Sequence, residues 1–561
     1  MPVAAEFDYV VAGGGSAGCV IAARLAENPD LRVALVEAGG HGRNLFIRMP
    51  AGNGFVFGNP GLDWGFESEP QAGLDGRRIY YPRGKALGGS SIMNGMIYMR
   101  GVPEDYDAWR DRGLPGWGFR ELLPYFRRAQ GSQNRDTPWH GTSGPLKTEQ
   151  SINYGTLEQA FVDAAVAAGH APIDDFNGPL RRGVSRTDST VYRGVRQSSA
   201  FAYLERPPAN LSLLTGRHIA RIEIDQGKAI GVITVDGEKI RARREVILCQ
   251  GAFGTPQTLM LSGIGPADHL RAHGIEVVTD LPGVGEHLSD HLDVSMQYAS
   301  PRTDLSLARH QRLDRAAALM ARWLLNGGGP GGGAFFSVVL FHGGENPALP
   351  EFETFMTPMV VEENLVNGAD EKTPLLQRLG RRLLVRGRKV ARPGVQIDIN
   401  LERPHSSGRV RLAGVDPRQA PVIDPGFFSD PRDLDALVRG VREMREVMAR
   451  PEIAGYLDGA LGPWQTAESD GEIMAAIRAT AYTGHHPCSS ARMGADDDPG
   501  AVLDAGLRVR GVRNLRVCDA AAMPTQITGN LNASVIAMAE KAADLILDRP
   551  PLPPEDPRTM T

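Results

Sequence analysis

The segment FDYVVAGGGSAGCVIAARLAENPDLRVALVEAGG (residues 7–40) constrains the fold more than any other part of the sequence. Its apolar residues 9–12 predict a buried strand, the residues after the glycines predict a helix, and RVALVEA predicts a second buried strand. The glycines between the first strand and the helix match GxGxxG, which allows a tight turn, room for a pyrophosphate and close helix–strand contact. The segment therefore predicts a Rossmann-like unit that binds a dinucleotide.

The residues of this unit that should contact the dinucleotide surround the start of the helix and the end of the second strand. The helix N-terminus offers free N–H groups and the positive end of its dipole to the phosphates. Glu37 can accept hydrogen bonds from an adenosine ribose, and its charge would repel a 2′-phosphate. The motif alone does not distinguish FAD from NAD. The expected contacts are Gly13, Gly15, Ser16, Ala17, Gly18 and Glu37.

Charge and cysteine usage exclude several classes of protein. The net charge of −5 over 561 residues argues against nucleic-acid binding by the whole protein. The four cysteines are far apart and lack CxxC spacing, which argues against a zinc ribbon or a disulfide framework and favours a cytoplasmic setting. No basic region precedes the first apolar run and no apolar segment is long enough to span a bilayer, so neither a signal peptide nor a transmembrane helix is expected.

Four longer segments carry further motifs, namely YPRGKALGGSSIMNGMIYMRG (81–101), GAFGTPQTLMLSGIGP (251–266), LPGVGEHLSDHL (281–292) and GLRVRGVRNLRVCDAAAMPTQITGNLNASVIAMAEKAADLI (506–546). Together with the N-terminal unit, they resemble the glucose–methanol–choline (GMC) family of FAD-dependent oxidoreductases. The resemblance covers most of the chain and is weakest in the middle third. It implies that the dinucleotide is FAD.

The resemblance also implies which residues contact FAD. Asp519 and Ala520 would lie near the pyrophosphate and the ribityl chain, and the backbone of Ile219 would touch the adenine. Leu531 is a further expected contact. The residues implied to wrap the flavin and its ribityl phosphate are Gly88, Gly89, Ser90, Ser91 and Asn94.

Two positions bear on how far the resemblance extends. Some family members attach FAD covalently through a histidine, and the matching position here is Met93, so non-covalent FAD is expected. Where the family reads GVGxNLxDH, this chain has His287 in place of the asparagine, so no role is carried over to that residue. Asp290 and His291 match the pattern.

The segment TGHHPCSSARMG (483–494) contains the expected active-site histidine. In the GMC pattern this is His486, and its partner is Asn530 of the NLN triplet. A neutral imidazole can accept the hydroxyl proton while hydride leaves the alcohol carbon, and an amide N–H can hydrogen-bond the same oxygen. His485 is expected to be a wall residue. A metal site that includes Cys488, or a Cys–His nucleophilic pair, is disfavoured by the spacing and by the missing further ligands, and no metal is expected.

The expected fold class is α/β combined with α+β, in two domains. A discontinuous Rossmann-like FAD-binding domain would comprise residues 1–160, 195–295 and 485–548, and residues 161–194 and 296–484 would form a substrate domain built on an antiparallel sheet flanked by helices. VQIDINLERPHSSGRVRL (395–412) predicts a hairpin around its SSGR turn. LNGGGPGGGAFF (325–336) predicts a gating loop or a linker, and the Pro-rich tail 549–561 an extended or disordered segment.

Residues 371–392 form an unusually basic segment, with eight Lys or Arg and one Glu. Its leucines recur at helical spacing and form an apolar stripe. One interpretation is a solvated helix or a lid over the active-site mouth. The other is peripheral contact with an anionic membrane, where each basic residue contributes about 1 kcal/mol.

The family resemblance implies oxidation of a primary alcohol, with aliphatic alcohols among the candidates, to an aldehyde. Members similar to choline and alkanol dehydrogenases favour a quinone or another non-oxygen acceptor, and an oxidase that makes hydrogen peroxide is the nearest alternative. A GMC-like lyase or a fatty-acid photodecarboxylase is a further alternative, against which the retained His486 and Asn530 argue. Choline itself is not favoured, because no aromatic or acidic cage for its ammonium group is evident in the sequence.

Overall fold

The computed structural model describes residues 5–311, 313–361 and 391–559, and these residues form two seven-stranded sheets. The strands of the two sheets are β1 Ala5–Ala12, β2 Val33–Glu37, β3 Gly183–Arg186, β4 Leu211–Thr215, β5 Ile219–Asp225, β6 Lys228–Thr234, β7 Lys239–Leu248, β8 Leu292–Ala299, β9 Val338–His342, β10 Phe352–Thr357, β11 Gly394–Leu401, β12 Gly459–Ala460, β13 Ala481–Thr483 and β14 Leu515–Val517. The longer helices are α1 Ser16–Leu25, α2 Pro103–Asp111, α3 Phe119–Ala129, α4 Thr156–Ala167, α5 Gly251–Leu261, α6 Leu313–Asn326, α7 Pro431–Met448, α8 Asp470–Thr480 and α9 Asn532–Ile546.

The first sheet contains the predicted dinucleotide-binding unit. Its order is β4-β2-β1-β7-β6-β5, with β14 also paired to β7. The strands β4, β2, β1, β7 and β14 are parallel, and β6 and β5 continue the sheet in antiparallel fashion. All five residues of β2 are buried, as expected for a parallel strand covered on both faces. The Rossmann-like unit predicted from residues 7–40 is confirmed.

The second sheet is antiparallel, in the order β12-β8-β11-β10-β9-β3, with β13 also paired to β8. Its apolar face, which includes Val294, Met296, Ile397 and Ile399, packs in one core with residues of α4, α7 and α8. The expected fold class is confirmed. The expected domain ranges stay a prediction, and β8 crosses their boundary at residues 295 and 296 because it pairs with β11 over its whole length.

The hairpin predicted around the SSGR turn is wrong. Strand β11 pairs with β8 and β10, whereas Arg409–Arg411 pairs with Val422–Asp424. Between them, Gly408 exchanges backbone hydrogen bonds with Leu288 (2.8 and 3.0 Å). Both segments are strands, but they do not pair with each other: β11 pairs with strands from distant parts of the chain, and Arg409–Arg411 pairs with the next strand along the chain.

The glycine-rich segment 325–336 is packed against the rest of the protein, so it is not a free linker. A Cβ atom on Gly194 would lie 1.9 Å from the carbonyl oxygen of Gly327. Asn153 Nδ2 donates to the carbonyl group of Ala334 (3.0 Å). The glycines here permit close backbone approach rather than flexibility.

The Pro-rich tail packs against α3 as far as it is described. The backbone N–H of Leu552 donates to the Tyr125 hydroxyl (3.1 Å), and that of Glu555 donates to the carbonyl of Arg120 (2.9 Å). The Glu555 carboxylate pairs with Arg127. The tail is therefore an extended segment held by specific contacts.

Residues 371–390 of the basic segment lie outside the described residues, so the lid and membrane interpretations both stay predictions. Within the part of the chain that the structure describes, no helix combines the length and the apolar character needed to cross a bilayer.

Candidate active site

His486 lies in the loop that follows β13, and hydrogen bonds from three directions hold the backbone of this loop. Asp290, just before β8, accepts from the backbone N–H of His486 (2.8 Å). Gln526 Nε2 donates to the carbonyl of His486 (3.2 Å), and Arg83 Nη1 donates to that of His485 (3.0 Å). His485 itself has φ +64°, a left-handed conformation that is costly for a non-glycine residue. The loop therefore presents the ring of His486 in one defined direction.

A second histidine, His291, determines the tautomer of His486. The Nε2 atom of His291 lies 3.0 Å from the carbonyl oxygen of Glu402 and 3.1 Å from that of Ile527, and carbonyls only accept, so Nε2 carries the proton. Burial lowers the pKa of His291 to about 3, which leaves its Nδ1 as a lone-pair acceptor. His486 Nδ1 lies 2.9 Å from that atom and must donate to it.

The Nε2 atom of His486 is consequently the unprotonated nitrogen. Burial, reinforced by the nearby imidazoles and Arg83, lowers the pKa of His486 well below its usual range, so the ring is neutral at neutral pH. Asn530 Nδ2 lies 3.1 Å from this Nε2 and can only donate to it. The structure thus brings together the two residues expected to act on the alcohol, 44 positions apart in the chain.

A single large cavity of about 1350 Å³ adjoins this pair. It exceeds the roughly 300–1,000 Å³ of a site for one drug-sized ligand, so it has room for a dinucleotide together with a substrate. The residues expected from the sequence that line it are Gly13, Gly15, Ser16, Ala17, Glu37, Gly89, Ser90, Asn94, Ile219, His486, Asp519, Ala520, Asn530 and Leu531. A single extended cofactor can contact all of these residues only if they line the same cavity, as they do here.

Three residues expected as FAD contacts do not line the cavity but build its wall. A Cβ atom on Gly18 would lie 1.9 Å from the Gly13 carbonyl oxygen, so Gly18 allows α1 to approach the turn. Gly88, with φ +102°, donates its N–H to the Gly14 carbonyl (2.7 Å). The Ser91 hydroxyl is buried and accepts from the backbone N–H of Ser199 (3.0 Å). Sequence patterns identify such residues without separating contact from support.

Two of the expected acidic contacts also have internal partners. Glu37 accepts from the backbone N–H groups of Gly14 (2.9 Å) and Gly39 (2.8 Å), and burial raises its pKa. Asp519 accepts from Gly251 N–H (2.8 Å) and from the Thr255 hydroxyl (2.6 Å). Each carboxylate oxygen has two lone pairs, so both residues can still accept from a ligand.

The cavity wall fits FAD on several independent features. The N-terminus of α1 opens onto it beside Gly13 and Gly15, where phosphates are favoured. A Cβ atom on Gly89 would lie 2.6 Å from Gly15 Cα, so this approach needs glycine. Several buried polar atoms of lining residues have no hydrogen-bond partner among the described residues, including Gln250 Oε1, His485 Nδ1 and Asn530 Oδ1. Met93, where some relatives attach FAD, also lines the wall.

The opposite wall is the polar face of the second sheet, which sequence analysis did not identify. Side chains alternate along a strand, so every second residue of β8, β10 and β11 lies on this face. The register forms three rows across the sheet: Asp293, Asn400 and Glu353; Ser295, Asp398 and Phe355; Gln297, Gln396 and Thr357. Five of the nine line the cavity together with Tyr482, namely Asp293, Phe355, Thr357, Gln396 and Asp398.

Two buried carboxyl groups dominate the electrostatics of this wall. Burial raises the pKa of Asp293 and of Asp398, and the charge of Asp398 raises that of Asp293 further, while Tyr482 lowers both. Asp293 Oδ1 and Thr357 Oγ1 have no hydrogen-bond partner in the described ranges. This end of the cavity therefore offers hydrogen-bond acceptors to a ligand, and a bound cation would favour the ionised form of both carboxyl groups.

Histidine and cysteine placement gives no sign of a metal centre in residues 5–311, 313–361 and 391–559, since no group of three suitable ligands occurs there. The four cysteines are buried and unpaired.

Family models for the N-terminal and C-terminal parts of GMC oxidoreductases match residues 7–293 and 404–539. The chain belongs to the GMC oxidoreductase family. Its cofactor is therefore FAD, which the cavity wall fits.

Individual relatives agree over nearly the full length. An oxygen-dependent choline dehydrogenase of Ectopseudomonas mendocina (strain ymp) is 39% identical over 98% of this chain and 95% of its own. A pyridoxine 4-oxidase from Mesorbium loti has a solved structure with a TM-score of 0.83 and 30% identity, covering 97% of this chain and 99% of the other. A formate oxidase variant of Aspergillus oryzae RIB40, studied for FAD modification, has a TM-score of 0.86 at 26% identity, covering 97% and 98%.

Proposed function

We propose that this protein oxidises a primary alcohol to an aldehyde and passes the electrons to a quinone or another non-oxygen acceptor. The observation that carries the proposal is the unprotonated Nε2 of His486 on the cavity wall, 3.1 Å from the amide nitrogen of Asn530. A neutral imidazole and an amide donor that converge on one point can bind the hydroxyl group of an alcohol between them.

The two residues have complementary tasks in this reaction. FAD, when bound, accepts the hydride from the alcohol carbon. His486 Nε2 takes the hydroxyl proton, while the Asn530 amide donates to the same oxygen and stabilises its developing negative charge. His486 Nδ1 keeps its hydrogen bond to His291, so the ring orientation is unchanged as it gains the proton.

The two buried carboxyl groups of the opposite wall support a cationic group on the substrate, because a bound cation favours their ionised form. Asp293 lines the same cavity as the base His486. Asp398 and the Tyr482 ring lie beside it. A protonated amine or a quaternary ammonium group complements these carboxylates. The sequence alone did not show that these residues lie together and can surround a cation. The name of the choline dehydrogenase relative agrees with this choice.

A matched set of alcohols tests the charge of the substrate. We expect choline and 2-(dimethylamino)ethanol to reduce the flavin with a lower KM than 3,3-dimethylbutan-1-ol, the neutral isostere of choline. Asp293→Asn should raise KM for the cations by ~10–100-fold, because a buried charge loses its partner, and should leave the neutral alcohol unchanged. Asp268→Asn, a change at a fully exposed carboxylate, is the control. Equal KM values for cation and isostere would refute the cationic group but not alcohol oxidation.

Stopped-flow reoxidation tests the electron acceptor. The enzyme is first reduced by alcohol without oxygen, then mixed with either air-saturated buffer or a soluble quinone analogue. We expect the quinone to reoxidise the flavin at least about tenfold faster. Rapid reaction with oxygen would instead support the oxidase alternative, which the name of the oxygen-dependent relative favours. Peripheral membrane contact through residues 371–392 stays a hypothesis from their sequence.

A further inference from the structure

A buried polar cluster behind His291 has no task in the reaction described above. Its centre is Asn400 on β11, which lies between Asp293 of β8 and Glu353 of β10 in one row of the sheet. Asn400 and Glu353 are fully buried. Glu402 completes the cluster at the end of β11 and accepts from the backbone N–H of Gly529.

The amide of Asn400 has a defined direction. Its Nδ2 lies 3.1 Å from Glu402 Oε1 and 3.4 Å from His291 Nδ1, and both of those atoms are acceptors. Its Oδ1 is therefore turned the other way. This oxygen has no hydrogen-bond partner among the described residues, and neither carboxyl oxygen of the neighbouring Glu353 has one. Such unpaired buried acceptors are rare and destabilising.

One proton on Glu353 would pair two of these three oxygens, namely Asn400 Oδ1 and one carboxyl oxygen of Glu353. A protonated carboxyl group can donate to Asn400 Oδ1, whereas a carboxylate only accepts. Burial raises the pKa of Glu353 well above its usual range and the charges of Glu402 and Asp293 act in the same direction, while Arg181 and a hydrogen bond with Asn400 act against them. The geometry and the surrounding charges agree on a neutral acid.

We infer that Asn400, oriented by protonated Glu353, is a positioning residue that fixes which nitrogen of His486 carries the proton. Its N–H group points at His291 Nδ1 and keeps that atom an acceptor, so His486 Nδ1 must donate and His486 Nε2 stays unprotonated. If the amide turned over, its oxygen would favour a second proton on His291, at Nδ1, beside the one that the two carbonyls hold at Nε2. His486 would then accept at Nδ1 and carry its proton on Nε2, where it cannot act as a base. The inference rests on the proposed role of His486.

Two nearly isosteric variants test this role. Asn400→Asp replaces the N–H group that faces His291 with a carboxylate oxygen and should lower flavin reduction by alcohol at least tenfold, toward the ~10⁴-fold loss that a wrong histidine tautomer can cause. Glu353→Gln keeps a donor for Asn400 Oδ1, so its rate and its pH profile should match the wild-type protein across the neutral range. The loss in Asn400→Asp should appear in kcat more than in KM, because the substrate-binding residues are unchanged.

Nitrogen NMR of the histidine-labelled holoenzyme reads the tautomer directly, without turnover. We expect the proton of His486 on Nδ1 in the wild-type protein and in Glu353→Gln, and on Nε2 in Asn400→Asp. An unchanged tautomer in Asn400→Asp, or a loss in Glu353→Gln as large as in Asn400→Asp, would overturn the inference. If no alcohol reduced the wild-type flavin, the proposed function would fail, and the NMR result would still decide the role of Asn400.

Discussion

Replacement of His486 by alanine is expected to slow flavin reduction by a saturating alcohol by ~10²–10⁴-fold, the range that a positioned general base contributes. The change removes the nitrogen that faces the Asn530 amide and the cavity. It leaves the backbone hydrogen bonds of residue 486 to Asp290 and Gln526 in place, so FAD content and thermal stability should stay near those of the wild-type protein. Anaerobic stopped-flow measurement of the flavin absorbance gives the rate.

The matched control is His273→Ala, which removes a histidine that does not line the cavity. It should reduce at the wild-type rate. A His486→Ala protein that retains full FAD content and is reduced by alcohol as fast as this control would refute the role of His486 as the base.

The second large effect is expected at the nucleotide end of the cavity, where Gly18→Ala should yield protein without FAD. The added Cβ would lie 1.9 Å from the Gly13 carbonyl oxygen and 3.3 Å from Cys249 Cβ. Backbone atoms cannot move aside as a flexible side chain can, so α1 must move away from the turn that should hold the pyrophosphate. The flavin absorbance per chain of the purified protein measures the result.

Gly40→Ala is the matched control for this substitution. Gly40 follows β2 closely, but a Cβ atom there meets no other atom within 4 Å, and its backbone is not left-handed. It should purify with the wild-type amount of FAD. Equal flavin content in Gly18→Ala would mean that the close approach of α1 to the turn is not required for cofactor binding.

Local patterns in the sequence were sufficient to predict the nucleotide-binding part of this protein. The first strand, the GxGxxG turn, the helix and the second strand are consecutive, and the two strands pair directly, so the pattern of residues 7–40 was enough to predict the unit, although β4 and β7 complete its sheet. The same sequence reasoning proposed His486 and Asn530, because their motifs are long and specific. Gly18, Gly88 and Ser91 were identified too, although they support the cavity rather than line it.

The substrate end could not be predicted in the same way. Asp293, Asp398 and Tyr482 come from β8, β11 and β13, and they meet only because the sheet aligns these strands in register. The failed hairpin prediction has the same origin, since alternation shows that a segment is a strand but not which strand it pairs with. His291 belongs to a motif that matches the family pattern, but its partner His486 lies 195 positions away, so the motif did not predict their contact.

The sequence by itself determined the family, the cofactor and the identity of the proposed base, because these depend on short motifs with fixed local geometry. Only the tertiary structure decided the protonated nitrogen of His486, the charge of the wall that faces the substrate, and the buried partners of Asn400. The contacts of His291 with His486 and with Asn400, at 2.9 and 3.4 Å, join residues 195 and 109 positions apart in the chain. Such distances are properties of packing, and no local pattern along the chain encodes them.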